Sequence, residues 1–550
     1  MNLARLVYGA WLTTARRHHR SLLRALRRPE EAQLRVLKRI LGRNRRSRVG
    51  RRLGFAGIDS PEAFRRRVPL VRYDDLRGDI EDLCQGETGV LTSEPVRRLV
   101  PSSGSTGDRK LIPFTTSLGR DFARGVGAWM VDLARRHPEI RSGPAYWSVS
   151  PAMDLPAEPS AVPIGFDDDA AYLGRWLEPL VARTLIAPSA LRHARPLSAF
   201  QYATLRLLLG ARRLRLISIW HPSFLTLLLD ARKALWSRLL RDLHDGTLSP
   251  DPPLEEAARR RLTGAFRADP RRARELERLG PEADPGRLWP ELAVVSAWAG
   301  GAARGPFEAL RRRLGGVALQ PKGILATEAF VSLPFEGLHP FALRSAYFEL
   351  LDEAGRIRGV HEARDGGAYE IVLTTSGGLY RYRLGDRVVV DGRVAGTPSI
   401  RLVGRGDRVV DQVGEKISEG FVGEALRRAF GSCDLPPFAL LAPEGDRYLL
   451  FLSQPPAAPE TFTSRLTEAL RANPGFAYAQ DLGQLGPVEV LLTAPDAEER
   501  YLRYLEGRGR VFGEIKPTHL EQEGPWREVL EASPLPPPSA PRPPAALTYP

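Results

Sequence analysis

Apolar residues along this chain recur at helical spacing in some stretches and gather in short unbroken runs in others. That alternation predicts layered α/β structure. Leu34, Leu37 and Leu41, with Arg35, Lys38 and Arg39 between them, mark an amphipathic helix inside residues 1–60, a region that reads as helices broken near Pro29 and Gly42. Residues 61–100 are mixed, with PLVRYDDL and LTSEPVRRLV flanking a CQGETG turn. A long helical pattern covers 117–137, and residues 138–190, rich in Pro, Gly and Asp, predict loops around short strands such as AYWSVS. Two Leu/Arg-rich helical stretches, 196–213 and 223–243, bracket LRLISIWHPS, whose middle reads as a buried strand. A third helical zone, 254–279, precedes LWPELAVVSAWAGG, a strand ending in glycines. Between 341 and 410 the pattern turns to strands, and beyond it FALLAP, RYLLFLS, a helix over 460–472 and VEVLLTA outline a smaller unit. The chain has no internal repeat, and PLPPPSAPRPPAALTYP is a proline-rich tail unable to pack a core.

These patterns predict a large N-terminal α/β domain with mixed sheets and a β-barrel-like part, followed by a smaller, mobile α+β C-terminal domain. The expected bounds are 1–404, 405–532 and a disordered tail over 533–550. A length of 550 residues agrees with more than one core. Hydrophobic content of 43% beside 26% charged residues is that of a soluble globular protein. No apolar run reaches the roughly 18–20 residues of a membrane span, and the N-terminus lacks the marks of a secretory signal. Cys84 and Cys433 stand far apart and support neither a disulfide framework nor a cysteine metal site, so a reducing cytoplasm is expected.

The net charge of +15 raises the question of a nucleic-acid partner, but its location answers most of it. Residues 1–52 carry 16 Lys/Arg and 2 acids, whereas the rest of the chain holds 64 basic and 63 acidic side chains. The basicity belongs to one segment. It reads as an amphipathic helix with a solvated basic face, its residues 1–30 dispensable for catalysis, with weak contact to an anionic surface as the alternative. Nucleic acid is not expected as a partner, and a monomer is.

Chemistry concentrates in a few motifs. In PSSGSTGDRKLIPF (101–114), successive small residues offer backbone N–H groups to an anion, Gly104 and Gly107 permit the positive φ such a nest needs, and Lys110 adds charge. The loop is not of the G-x-x-x-x-G-K-[ST] type. In YRYRLGD (380–386) a strand ends on Asp386, a carboxylate able to accept both hydroxyls of a ribose. GRGD (404–407) and GEKISEG (414–420) follow as a hinge or a plain hairpin. Thr327-Glu328 closes an apolar run, where a strand's carboxyl end would present a hydroxyl and a magnesium-binding carboxylate. The nine histidines, among them His18, His19, His137 and His221, show no ligand spacing, and no G-x-S-x-G elbow is present.

Taken in order, the hydroxyl/Gly loop, Thr327-Glu328, YRYRLGD, GRGD and Lys516 in GEIKP resemble the adenylate-forming superfamily. PLVRYDDL, SSGSTGDRKLIP, LWPELAVVSAW, YFEL at 347–350 and LYRYRLGD resemble more specifically the auxin-responsive promoter family of acyl-acid amido synthetases. The likeness runs from about residue 30 to 530. It implies that Ser102, Ser103, Ser105 and Thr106, with Gly104, Gly107 and Lys110, contact ATP phosphates. It also implies that Ala326, Thr327 and Glu328 lie near the α-phosphate and magnesium, and Tyr347 against the nucleoside. Asp386 would bind the ribose with support from Arg405, Lys416 would contact nucleotide or acid, and Lys516 would reach the adenylation site from the C-terminal domain. Two departures stand out. Ile324 takes a place where plant members often carry tyrosine, and the 117–134 helix has GVGAWM, with Arg124 out of register, where an acid-clamping arginine would be sought.

The activity so implied is ATP-dependent activation of a carboxylic acid as an acyl-adenylate, then transfer to an amine, that of an amino acid. The alternatives are a ligase with a thiol acceptor such as CoA and a nucleotide-binding protein without turnover.

Overall fold

The basic N-terminal segment folds into helix α1 (Leu3–Arg27) and helix α2 (Pro29–Asn44). The computed structural model describes residues 3–102, 110–149, 160–165, 181, 183–262, 264–300, 303–405, 409–431, 435–506 and 518–535. Pro29 separates the two helices, since proline suits the first helical position but cannot continue a preceding turn. Gly42 does not end α2 as expected: one interior glycine costs only about 1 kcal/mol, and Ile40 and Leu41 beside it are buried.

The segment as a whole is also not the solvated helix that its charge suggests. Tyr8, Trp11, Leu22, Leu26 and Leu37 belong to the main hydrophobic core, and α1 packs along helix α3 (Thr116–Arg136). The Gln33 amide donates to the carbonyls of Leu343 (2.8 Å) and Ala346 (2.9 Å) and accepts from the Phe348 N–H (2.6 Å). Arg16, Arg20 and Arg35 hold the outer, exposed face. The hydrophobic faces of α1 and α2 are structural, so residues 3–44 are part of the main core rather than a solvated appendage.

Strands β1 (Val96–Ser102) and β2 (Lys110–Thr115) form an antiparallel hairpin. Strands β3 (Ala145–Trp147), β4 (Leu216–Ser218), β5 (Val294–Ala297) and β6 (Ala318–Pro321) form a parallel sheet in that order. Helices α4 (Leu197–Gly210), α5 (Pro222–Asp245) and α6 (Arg304–Arg313) fall between successive strands, as parallel crossovers require. Parallel strands buried on both faces read as unbroken apolar runs, which is why LRLISIW and AVVSAW looked as they did. The helical zone over 254–279 is two helices, Glu256–Leu262 and Pro270–Leu279, the second capped by Asp269.

Strands β7 (Tyr347–Leu351), β8 (Ile357–Gly359), β9 (Ala368–Thr374), β10 (Tyr382–Val394) and β11 (Thr397–Arg405) make a five-stranded antiparallel sheet, ordered β11-β10-β9-β7-β8. The barrel-like part is thus, among the described residues, an open sheet. The YFEL and LYRYRLGD motifs meet inside it. Glu349, 1% exposed, accepts from Arg65 Nε (3.0 Å) and Arg381 Nε (2.9 Å). Arg381 also donates to the Arg65 and Val68 carbonyls.

Residues up to Arg405 belong to one compact unit and those from Val409 to a second. The second contains the short pair β12 (Val409–Val410) and β13 (Ile417–Ser418). It also contains a four-stranded sheet of β14 (Ala439–Glu444), β15 (Arg447–Leu452), β16 (Glu489–Leu492) and β17 (Ser533–Pro534). Helices α7 (Glu419–Phe430) and α8 (Pro459–Arg471) share a core with this sheet through Leu426 and Leu466. Pairing of Pro534 with Leu491 and Ser533 with Leu492 puts the first residues of the expected tail inside the unit. Residues from 536 onward lie outside the described residues.

Candidate active site

The β1–β2 hairpin sets Ser102 opposite Lys110 in register, so the two ends of the Ser/Gly loop are held together. Ser103, Gly104, Ser105, Thr106 and Gly107 lie outside the described residues, as does Lys516. Lys110 Nζ stands 6.0 Å above the ring of Tyr73, whose hydroxyl accepts from the Leu111 N–H (2.7 Å). Tyr73 comes from PLVRYDDL. Val71 of the same motif donates to the Arg381 carbonyl (3.1 Å) and accepts from the Arg383 N–H (2.8 Å). One segment therefore ties the hairpin that carries the Ser/Gly loop to the strand bearing Asp386.

Asp386 lies within β10 rather than at a strand end, because β10 continues to Val394. It is 7% exposed and pairs in register with Arg405 on β11, just after Gly385, whose φ is +84°. The left-handed backbone at Gly385 bends the strand where its pairing with β9 shifts register. Thr327 and Glu328 occupy the tip of a tight turn, closed by an Ala326 N–H bond to the Ala329 carbonyl (3.0 Å) and by pairing of Leu325 with Phe330. This turn follows β6 after a short connection. Glu328 is 6% exposed. Ile324 is buried, and its N–H donates to Ser332 Oγ (2.9 Å). Among the described residues no three His, Cys, Asp or Glu side chains gather to hold a metal unaided. Magnesium needs only one or two carboxylates when phosphate oxygens complete its shell, and Glu328 fits that requirement.

Tyr347 sits apart from this group, and Lys416 belongs to the other unit. Tyr347 opens β7 in the core, edge-on to Phe64 at 5.9 Å. Burial and the neighbouring Glu349 hold its phenol protonated, far above the ordinary range. Its ring faces packed side chains rather than an open site. Lys416 belongs to the second unit, with φ +44° and its carbonyl accepting from Asn473 (3.4 Å). Beside it, Glu415 accepts from the Gln412 and Val413 N–H groups and from the Tyr448 hydroxyl. Burial, then the nearby Asp411, push the Glu415 carboxyl up to about 7.

The sequence reading missed a cavity of about 90 Å³ at the carboxyl end of the parallel sheet. Its wall includes Trp129 of α3, Trp147, Trp220, Lys322, Leu325 and Phe330. Leu325 and Phe330 are the two residues that pair beneath the Thr327-Glu328 tip. Phe330 approaches α3 so closely that a Cβ at Gly125 would lie 2.7 Å from its ring, so that helix position admits only glycine. Phe122 stacks between Phe330 (6.4 Å) and Phe114 of β2 (6.1 Å), joining cavity, α3 and hairpin in one aromatic file. Val126 and Trp129 are the α3 residues that line the cavity, whereas Arg124 turns to Asp121 (2.6 Å). A signal for the cavity was present: AYW and ISIW each run a buried strand out into a tryptophan that lines it.

Residues 18–319 match the GH3 family N-terminal domain, and residues 340–405 match the GH3 family central domain. The chain belongs to the GH3 family. It is 27% identical over 569 residues to the probable indole-3-acetic acid-amido synthetase GH3.4 of Oryza sativa subsp. japonica, with 92% of this chain and 88% of that protein covered. It is 26% identical to indole-3-acetic acid-amido synthetase GH3.8 of Oryza sativa subsp. indica, covering 92% and 90%. Among solved structures, the AtGH3.15 acyl acid amido synthetase in complex with 2,4-DB superposes with a TM-score of 0.64 at 20% identity, over 93% of this chain and 95% of that one. A 2-hydroxyisobutyryl-CoA ligase gives 0.51 at 15%, covering 92% and 91%. Both structures share the fold of this GH3 protein. As a GH3 protein the chain is an ATP-dependent ligase of the adenylate-forming class, an acyl-acid amido synthetase.

Proposed function

We propose that the chain joins a small carboxylic acid to an amino acid through an acyl-adenylate, with the acid seated in the tryptophan-lined cavity. The observation that carries this reading is the shared hairpin: Leu325 and Phe330 wall the cavity while Thr327 and Glu328 form the tip above them. An acid held against that wall is held beside the groups expected at the α-phosphate.

The acid's carboxylate is already ionised at neutral pH, so the first step needs no general base. It needs charge neutralisation where the carboxylate approaches the α-phosphorus and pyrophosphate departs. Lys110 and the Ser102–Gly107 loop take the phosphates, Asp386 receives the ribose hydroxyls, and Arg405, its cross-strand neighbour, supports it. Glu328 would hold magnesium, which would supply further positive charge there. Lys516 acts in the same half-reaction and leaves it, by a swing about residues 404–407, before the amine arrives.

Pyrophosphate exchange into ATP, scanned over a panel of carboxylic acids, tests the reading. Acid-dependent exchange followed by an amide product with an amino acid is expected. Product mass showing a thioester with CoA would reassign the acceptor, and ATP binding without exchange for any acid would remove the catalytic reading.

A further inference from the structure

Asp121 and Arg124 of α3 do not line the cavity; they belong to a cluster of charge where α3 meets α1 and α2. Asp121 is buried and engaged on both oxygens. Arg124 Nη1 donates to Oδ1 (2.6 Å) and Ser376 Oγ to Oδ2 (2.6 Å). Arg39 of α2 spans the pair, with Nη1 3.1 Å from Oδ1 and Nη2 3.2 Å from Oδ2. Four donors fill the roughly four lone-pair positions of a carboxylate. More guanidinium is gathered here than that one group can meet. Arg39 Nη2 also donates to the Arg344 carbonyl (3.4 Å), and its Nε is buried with no hydrogen-bond partner. Arg344, in the connection ahead of β7, is half-buried; burial, then Arg124 and Arg39, and more weakly Arg24, hold its guanidinium below the ordinary arginine range. Among the described residues neither Arg24 nor Arg344 forms an ion pair, and Arg43 places one donor on Ser117 Oγ (3.1 Å). His18 registers the same field: burial, then Arg17, Arg124 and Arg344, push its imidazole down to about 4.

Half-buried guanidiniums beside like charges are unfavourable alone and complementary to an oxyanion that bonds several of them at once. We propose that this cluster binds a phosphate group, with Arg344 as its principal donor and Arg39 and Arg124 beside it. A phosphate monoester brings a charge of about −1.5 to −2 and three strong acceptor oxygens, enough to engage more than one arginine fork. The site is separate from the nucleotide loop. Thr115 Oγ1 donates to the Ser376 carbonyl (3.0 Å), which puts the cluster at the end of β2 remote from Lys110. A phosphate here would join α1, α2 and α3 to the connection that opens β7, so its binding must stabilise the first unit.

The test titrates inorganic phosphate into the full chain, with chloride holding ionic strength constant and saturating ATP, without acid, filling the nucleotide site. Calorimetry reads the affinity and the melting temperature reads the stabilisation. Wild type should bind phosphate and melt higher with it. Arg344→Met should bind about tenfold or more weakly, the scale of a lost charged hydrogen bond. Arg278→Met, which removes an exposed arginine from a helix of a different core, should match wild type. Without phosphate Arg344→Met should melt no lower than wild type, because the charge removed has no acid partner. A variant that is less stable without phosphate yet gains as much from it makes Arg344 structural and overturns the proposal. Equal weakening in Arg344→Met and Arg278→Met overturns it too, since any surface charge would then serve. Vesicles of phosphatidylcholine with phosphatidic acid offer the same group on a lipid. Sedimentation of wild type but not of Arg344→Met with them puts the phosphate on a membrane surface, and calorimetric binding without sedimentation puts it on a dissolved ligand. Neither binding nor sedimentation by wild type overturns the proposal.

Discussion

Glu328 is the described carboxylate at the tip of the turn that walls the cavity, and at 6% exposure its surroundings hold it in one place. If it meets the metal–phosphate charge, Glu328→Gln should lower the exchange rate by about tenfold to a hundredfold, the worth of one preorganised charged contact. ATP affinity, read by equilibrium binding, should change much less, and a variant with wild-type exchange would remove Glu328 from the site. Asp386→Asn should act the other way, raising the KM for ATP by about tenfold or more because a charge-assisted bond to ribose is lost. An unaltered KM would leave Asp386 as a structural partner of β11. These residues could be singled out from sequence because each sits in a short contiguous motif. Lys322, Trp129, Trp147 and Trp220 were not: they come from four separate segments, and only the parallel register, with Trp147 level with Ser218, assembles them. Tyr347 shows the opposite failure, since YFEL was recognised as a motif while the structural work it does with Phe64 and Glu349 was invisible in sequence.

At the scale of elements, hydrophobic period foretold most helices to within a few residues, including α3, α4, α5 and α8. Charge misled where it was strongest. Sixteen basic side chains in 52 residues looked like a detachable segment, yet the opposite face of α1 and α2 fills the main core. Each large side chain such as Tyr8 or Trp11 contributes about 1.5–3 kcal/mol on burial, so deleting residues 1–30 should yield insoluble or unfolded protein rather than a shortened active enzyme. A soluble truncation with a native circular dichroism spectrum would contradict this. A milder test is Gln33→Leu, which leaves two carbonyls and one N–H without their partner. At about 1–3 kcal/mol for each unsatisfied buried group, denaturant unfolding should show a loss of roughly 3 kcal/mol or more. The Glu349 cluster is comparable: Glu349→Gln leaves Arg65 and Arg381 facing a neutral group, and breaking a buried pair costs about 3–5 kcal/mol.

At the scale of the whole molecule, the long strand-rich region and the smaller α+β unit were both readable, whereas the expected barrel-like part is an open sheet among the described residues, because sheet closure depends on edges that no local pattern specifies. The second unit also carries a pH dependence. Glu415 has a folded-state pKa near 7, above its unfolded value of 4.5. Below 4.5 both states are protonated; between the two values the folded state binds the extra proton, so stability must fall as pH rises through that window. Denaturant titrations of wild type and Glu415→Gln at pH 5.5 and 8 should therefore differ, with wild type losing stability relative to the variant at the higher pH. A constant difference would mean that Glu415 stays ionised throughout, held by the Gln412, Val413 and Tyr448 donors that favour its charged form. The last prediction concerns Lys516, whose expected role is confined to the first half-reaction. Lys516→Ala should suppress acid-dependent pyrophosphate exchange while leaving ATP binding nearly intact, because the charge it neutralises appears only as pyrophosphate departs. Supplied with a preformed acyl-adenylate and an amino acid, the same variant should still form the amide with release of AMP, since the lysine's expected role is confined to the step in which pyrophosphate departs. Loss of both half-reactions together would point instead to damage to the fold of the second unit, and loss of neither would remove Lys516 from catalysis.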